Sequence, residues 1–220
     1  MIYILVGLFW GALIPYMARR FAKFMPATPA YALYRLIKPN KTSARKNAKY
    51  YKLRKAYMLR GCLYAVLTAI ISALAWIHFG TDAIWWRLGF IWSLLLLAEV
   101  DIKMFLLPDI VTFPLLMCGF AFAVFDNPDL SATESAIAAL AGYIIPILAT
   151  LFLLWHTHEA FGGGDIKLLA AIGAWLGVEK LMYTILLSCA IFGVYSLLRH
   201  KRDGAFGPAL AIAAIILLFL

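Results

Sequence analysis

No aspartate or glutamate occurs between Met1 and Thr81, although residues 18–60 hold thirteen of the twenty lysines and arginines. Charge is scarce elsewhere. Of 220 residues 14% are charged and 65% hydrophobic, with a mean hydropathy of +0.88. A water-soluble domain carries about a quarter charged residues, so this composition excludes one and implies a polytopic membrane protein. The three cysteines, Cys62, Cys118 and Cys189, lie far apart with no CxxC pair. That pattern points away from a zinc site or a disulfide framework, and they are expected to be small apolar core residues. The first apolar run, "MIYILVGLFWGALIPYMARR", lacks a basic segment ahead of it and carries its charges behind. It reads as an uncleaved first membrane helix rather than a secretory signal.

Eight apolar runs are long enough to be crossing candidates at about 1.5 Å per residue. They fall near 2–17, 61–78, 84–99, 110–125, 133–155, 166–176, 181–198 and 206–220, the sixth being short. The expected class is all-α, a polytopic helical protein with about eight transmembrane helices: 1–17 the first, 18–60 a basic cytoplasmic loop and 61–220 a seven-helix region. "SATE" at Ser131–Glu134 matches a capping box opening the fifth helix. If the 18–60 loop is cytoplasmic, alternation puts eighteen of twenty basic residues on that side, with Arg87 and Lys180 outside. Asp82, Asp126, Asp129 and Glu179 then occupy outer turns, and both termini lie outside. The basic loop, rich in tyrosine, invites a nucleic-acid reading, but in a membrane protein it is expected to lie against anionic lipid, with no nucleic-acid partner.

Five carboxylates stand out from those in the outer turns: Glu99, Asp101, Asp109, Glu159 and Asp165. All fall at the expected cytoplasmic face, at helix ends or short links, where ionisable groups are functional candidates unless partnered. The plain alternative is a surface carboxylate paired with a nearby lysine, Asp101 with Lys103 or Asp165 with Lys167. In "EVDIKMFLLPD" Pro108 and Asp109 open a helix, so Asp109 is either a capping acid or part of a site. "FGGGDIK" sets Asp165 at a helix start behind glycines that admit a close backbone approach. Two carboxylates brought together there share a proton, so one can deprotonate a water while the other protonates a leaving group. That chemistry needs no metal. "HTHE" at His156–Glu159 spaces its histidines poorly for a helical metal face.

Three motifs carry a resemblance to the type IV prepilin leader peptidases, polytopic aspartic peptidases of the GxGD class. They are "DIKMFLLPDIVTFPL" from Asp101, the run Gly162-Gly163-Gly164-Asp165-Ile166-Lys167, and Phe206-Gly207-Pro208 opening the last helix. Asp101 and Asp165 stand 64 residues apart, the separation such an enzyme would have. The resemblance is good from about residue 85 onward and poor before it. It implies that Asp101 and Asp165 are the catalytic pair, with Gly162, Gly164, Lys103, Lys167, Pro108 and Asp109 binding substrate or shaping the site. It further implies prepilins or pilin-like secretion subunits as substrates, membrane lipids as surroundings, and cleavage at the cytoplasmic face of a bacterial inner membrane. Many such enzymes also methylate the product with S-adenosylmethionine and carry paired CxxC motifs. Their absence here leads to the expectation of a peptidase without cofactor or metal. The rivals are another GxGD protease, of preflagellin or signal-peptide type, a small proton-coupled transporter using the same carboxylates, and a silent scaffold.

Overall fold

The computed structural model describes residues 2–24, 48–156, 162–199 and 204–220. Among them are seven helices and no strand: α1 Ile2–Phe24, α2 Ala48–Phe79, α3 Ile84–Met104, α4 Asp109–Phe125, α5 Ala132–His156, α6 Gly163–Arg199 and α7 Gly207–Phe219. Only closed hydrogen-bond ladders satisfy a backbone in lipid, and an apolar chain meets that demand with helices. Four stretches are long and apolar enough to cross a membrane: Ile2–Phe21, Met58–Phe79, Ala132–Phe152 and Gly163–Arg199. Helices α4 and α7 are apolar but shorter. Helix α3 has 21 residues but carries Arg87, Glu99, Asp101 and Lys103. The protein is therefore an all-helical, multi-pass membrane protein, and its described helices do not establish the eight crossings expected from the apolar runs. The runs 166–176 and 181–198 are joined in α6, which breaks at Gly177 with φ 81 and ψ 172. That left-handed φ favours glycine.

The chain forms two compact units, Met1–Ile84 and Trp85–Leu220. In the first, α1 packs on α2 through small residues, and the Thr68 hydroxyl donates to the Gly7 carbonyl at 2.7 Å. Helix α1 continues past residue 17 to Phe24 and α2 already begins at Ala48, so both ends of the expected 18–60 loop are helical. The reason lies in composition: residues 48–60 contain no glycine or proline, and Ala, Lys, Arg, Leu and Met are strong helix formers. Residues 25–47 of that segment lie outside the described residues.

In the second unit, α5 and α6 approach backbone to backbone. A Cβ on Gly142 would stand 2.5 Å from the Leu169 carbonyl oxygen, and one on Gly173 would stand 2.7 Å from the Ala138 carbonyl carbon. Beyond those contacts, towards the start of α5, the Ser135 hydroxyl donates to the Ala174 carbonyl at 2.7 Å. Small residues at the interface are the usual means of helix association in lipid, where large apolar side chains gain nothing by turning inward. Leu140, Leu148, Phe152, Leu186 and Leu197 accordingly point outward. The cysteines do too: all three are free and exposed, not the core residues their apolar settings suggested. The capping box is present, with the Glu134 N–H donating to the Ser131 hydroxyl at 3.2 Å and the Ser131 N–H donating back to the Glu134 carboxylate at 3.0 Å. At the far end of the unit, Trp86 and Phe90 of α3, Phe122 of α4 and Trp175 of α6 form an aromatic cluster. Its closest ring centroids are 4.8 Å apart, and the Trp175 indole N–H donates to the Leu115 carbonyl at 2.8 Å.

Two glycines of α6 should respond oppositely. Gly173→Ala drives a methyl group into the α5 backbone and is expected to cost about 1–3 kcal/mol. Gly193, with nothing within 4 Å of its missing Cβ, should be stabilised by roughly 0.5–1 kcal/mol on substitution by alanine. Apparent Tm in detergent reads both.

Candidate active site

The site assembles where one helix of the second unit ends and three others begin. Helix α3 stops at Met104 because Phe105 turns left-handed, φ 51, while its N–H donates to the Asp101 carbonyl at 2.8 Å. A non-glycine residue in that conformation costs roughly 1–2 kcal/mol. Pro108 follows, extended at φ −73 and ψ 126, and biases the residue before it away from helix. Phe105 and Leu106 are left exposed, while Leu107 and Pro108 are buried. This short link sets Asp101 in the last turn of α3 and Asp109 in the first turn of α4.

Asp101 is 4% exposed, and its Oδ2 accepts the backbone N–H of Gly207 at 2.8 Å. Gly207 opens α7. The N–H groups of Ala209 and Leu210 turn back to the Phe206 carbonyl, and Pro208 has none, so the Gly207 N–H is available for an outside acceptor. A Cβ on Gly207 would lie 2.7 Å from the same Oδ2 and 3.1 Å from the Asp101 Cγ. The sequence motif Phe206-Gly207-Pro208 marked this position, but it was not among the expected site residues. The available signal was a glycine N–H left free in front of a proline.

Asp165 is the third residue of α6 and is half-buried. It lies close enough to Asp101 for one charge to act on the other. Among the described residues its carboxylate accepts no hydrogen bond. The glycines before it are not equivalent. A Cβ on Gly162 would stand 2.9 Å from the Asp165 Oδ2, and one on Gly164 would stand 3.0 Å from the Leu107 Cβ and 3.3 Å from its backbone nitrogen. Gly164 thus lets α6 start directly against the α3–α4 link. Gly163 faces open space, so sterics do not require glycine there.

The lysines pair differently from the sequence expectation. Lys103 lies 2.6 Å from the Glu99 Oε1, and the Lys167 ammonium donates to both Asp109 oxygens at 2.7 Å. Asp101–Lys103 and Asp165–Lys167 are two residues apart, and positions so spaced on a helix point away from each other, whereas Glu99 and Lys103 share a face. Asp109 is thus the anchor of a bridge between α4 and α6, following a Pro108 cap that makes no side-chain hydrogen bond. All the expected site residues therefore gather at this end of the unit. Glu159 and most of "HTHE" lie outside the described residues. Among the described residues no three His, Cys, Asp or Glu side chains are grouped to hold a metal ion. The Trp175 cluster lies ten residues further along α6, about 15 Å away.

The Asp109–Lys167 bridge is exposed, its side chains 66% and 48% accessible. Asp109→Asn or Lys167→Gln should each lower stability by less than about 1 kcal/mol. The shift in apparent Tm should shrink at high salt, and a large salt-independent loss contradicts this account.

Residues 88–197 match the type IV leader peptidase family, a span that holds Asp101 and Asp165 and stops short of Gly207. The chain is 38% identical over 164 residues to a prepilin leader peptidase/N-methyltransferase of Dichelobacter nodosus, covering 72% of this chain and 57% of that protein. A protein of the same description from Aeromonas salmonicida is 38% identical over 170 residues, 74% of this chain and 57% of its own. One from Pseudomonas aeruginosa is 39% identical over 172 residues, 71% and 57%. The chain thus spans little more than half the length of these relatives. No solved structure matches it.

Proposed function

The chain belongs to the type IV leader peptidase family, and from that premise we propose that it is a membrane aspartic endopeptidase. Its substrates are type IV prepilins or pilin-like secretion subunits, from which it removes a short basic leader. The observation that carries the reading is the meeting of Asp101 and Asp165, from the end of α3 and the start of α6, within reach of each other's charge. Two carboxylates so close cannot both be ionised cheaply, so one keeps a proton. The ionised member takes a proton from water, whose oxygen attacks the scissile carbonyl, and the protonated member supplies the carbonyl oxygen. No cofactor enters this chemistry. The relatives' names include N-methyltransferase activity, but the proposal is confined to the peptidase step, because this sequence has no CxxC pair.

The basic segment 18–60 supports a cytoplasmic placement of the site in a bacterial inner membrane, through the preference of lysine and arginine for that side. A basic leader held in the cytoplasm ahead of an apolar helix presents its cleavage point at that face. A transporter would place such acids near mid-membrane, whereas Asp101 and Asp165 lie in a last and a first helical turn.

The test is incubation of the purified chain with a prepilin, followed by mass spectrometry of the product's N-terminus, which reports cleavage and methylation together. Asp101→Asn and Asp165→Asn should each lower cleavage by about a thousandfold or more while membrane insertion is unchanged. Asp109→Asn should lose less than about tenfold. Chelators should have no effect. Cleavage retained by either of the first two variants removes that residue from the pair.

A further inference from the structure

The two carboxylates are held unequally. Asp101 accepts a backbone N–H 106 residues away in sequence, at 2.8 Å and in a buried setting. Asp165, among the described residues, accepts none. An N–H can only donate, and it donates more strongly to a charged oxygen than to a neutral one. The fit at Gly207 is also steric, since any Cβ there would press on the Asp101 carboxylate. Proline at the next position leaves that N–H without a neighbouring donor in competition for Oδ2.

Resting on the peptidase reading above, we propose that Gly207 is a positioning residue: its N–H holds Asp101 as the carboxylate that accepts the proton of the attacking water, leaving Asp165 to carry the exchangeable proton. In the first step the water oxygen bonds to the scissile carbonyl carbon. One water proton passes to Asp101, and the Asp165 proton passes to the carbonyl oxygen. The resulting gem-diol collapses with cleavage of the C–N bond. The proton on Asp101 goes to the leaving nitrogen, and a gem-diol hydroxyl proton returns to Asp165. One water is consumed, a carboxyl and an amine are formed, and both aspartates return to their starting states. Gly207 touches neither substrate nor water and acts through Asp101.

Two variants of the full chain separate the roles. Gly207→Ala adds the obstructing methyl group. Translation with glycolic acid at position 207 replaces the N–H by an ester oxygen without adding a side chain, which keeps the test open if the alanine variant fails to fold. Both are made with γ-13C-aspartate, and the Asp101 carboxyl resonance is assigned by its loss in Asp101→Asn. Loss of the N–H should move the Asp101 resonance and leave that of Asp109 in place. With a peptide carrying a basic leader and an apolar continuation, kcat should fall about tenfold to a hundredfold while KM stays within about twofold. An unmoved Asp101 resonance overturns the proposal, and so does a moved resonance with kcat retained. If the unaltered chain cleaves no leader while the resonance still moves, the peptidase reading fails and the kinetic half of this proposal with it. The hydrogen bond between Gly207 and Asp101 then stands on the spectrum alone.

Discussion

A carboxylate buried among apolar helices needs a donor aimed at it, and for Asp101 that donor is the N–H of Gly207. Much of the second unit is arranged so that this one contact can exist. Helix α7 must begin where α3 ends. Its first residue must lack a Cβ, because a methyl group there would occupy the space of the carboxylate. The following proline adds no N–H of its own. Asp165 then approaches from α6, whose start is pressed onto Leu107 of the α3–α4 link through Gly164. The left-handed turn at Phe105, φ 51, ends α3 just after Asp101 and starts the link that leads to Pro108 and Asp109.

Glycine serves two separate ends in the unit. Gly142 and Gly173 let α5 and α6 touch along their backbones, an interface that gives the bundle its packing in lipid. Gly164 and Gly207 act within the site, each where a side chain would displace a neighbour carrying or supporting one of the two acids. Gly163 belongs to neither group, and its missing Cβ would meet nothing. The triple glycine is therefore one steric requirement at Gly164, one close approach to the Asp165 carboxylate at Gly162, and one open position.

The helical class and the Ser131–Glu134 cap were legible in the sequence because each rests on local pattern, apolar run length and capping chemistry, whereas the pairing of Asp101 with Asp165 was an expectation carried by the likeness of their motifs to a known family. The plain alternative of Asp101 paired with Lys103 and Asp165 with Lys167 does not hold, because residues two apart diverge on a helix. Lys167 reaches Asp109, 58 positions earlier, and no local pattern announces that. The cysteines were misplaced because an apolar neighbourhood in the sequence means burial in water but exposure in lipid. Gly207 was visible as a motif and invisible as a contact, since a backbone donor leaves no signature in residue type. The extension of helix into both ends of the basic segment followed from propensity, and the weight of its charge concealed it.

The pairing at this end of the unit also isolates the two acids. Four carboxylates of the described residues gather there, Glu99, Asp101, Asp109 and Asp165, with two lysines. Lys103 is taken by Glu99 and Lys167 by Asp109. Those four charges cancel, and among the described residues no cation is bonded to Asp101 or Asp165. Their balance must come from backbone donors at helix starts and from protons. One amide, that of Gly207, is committed to Asp101, and Asp165 is left with the field of its own helix terminus and a like charge opposite. A cation on either acid would hold both ionised and deprive the proposed pair of its acid half. The two lysine bridges thus stand apart from the pair, each ammonium held by a carboxylate other than Asp101 or Asp165.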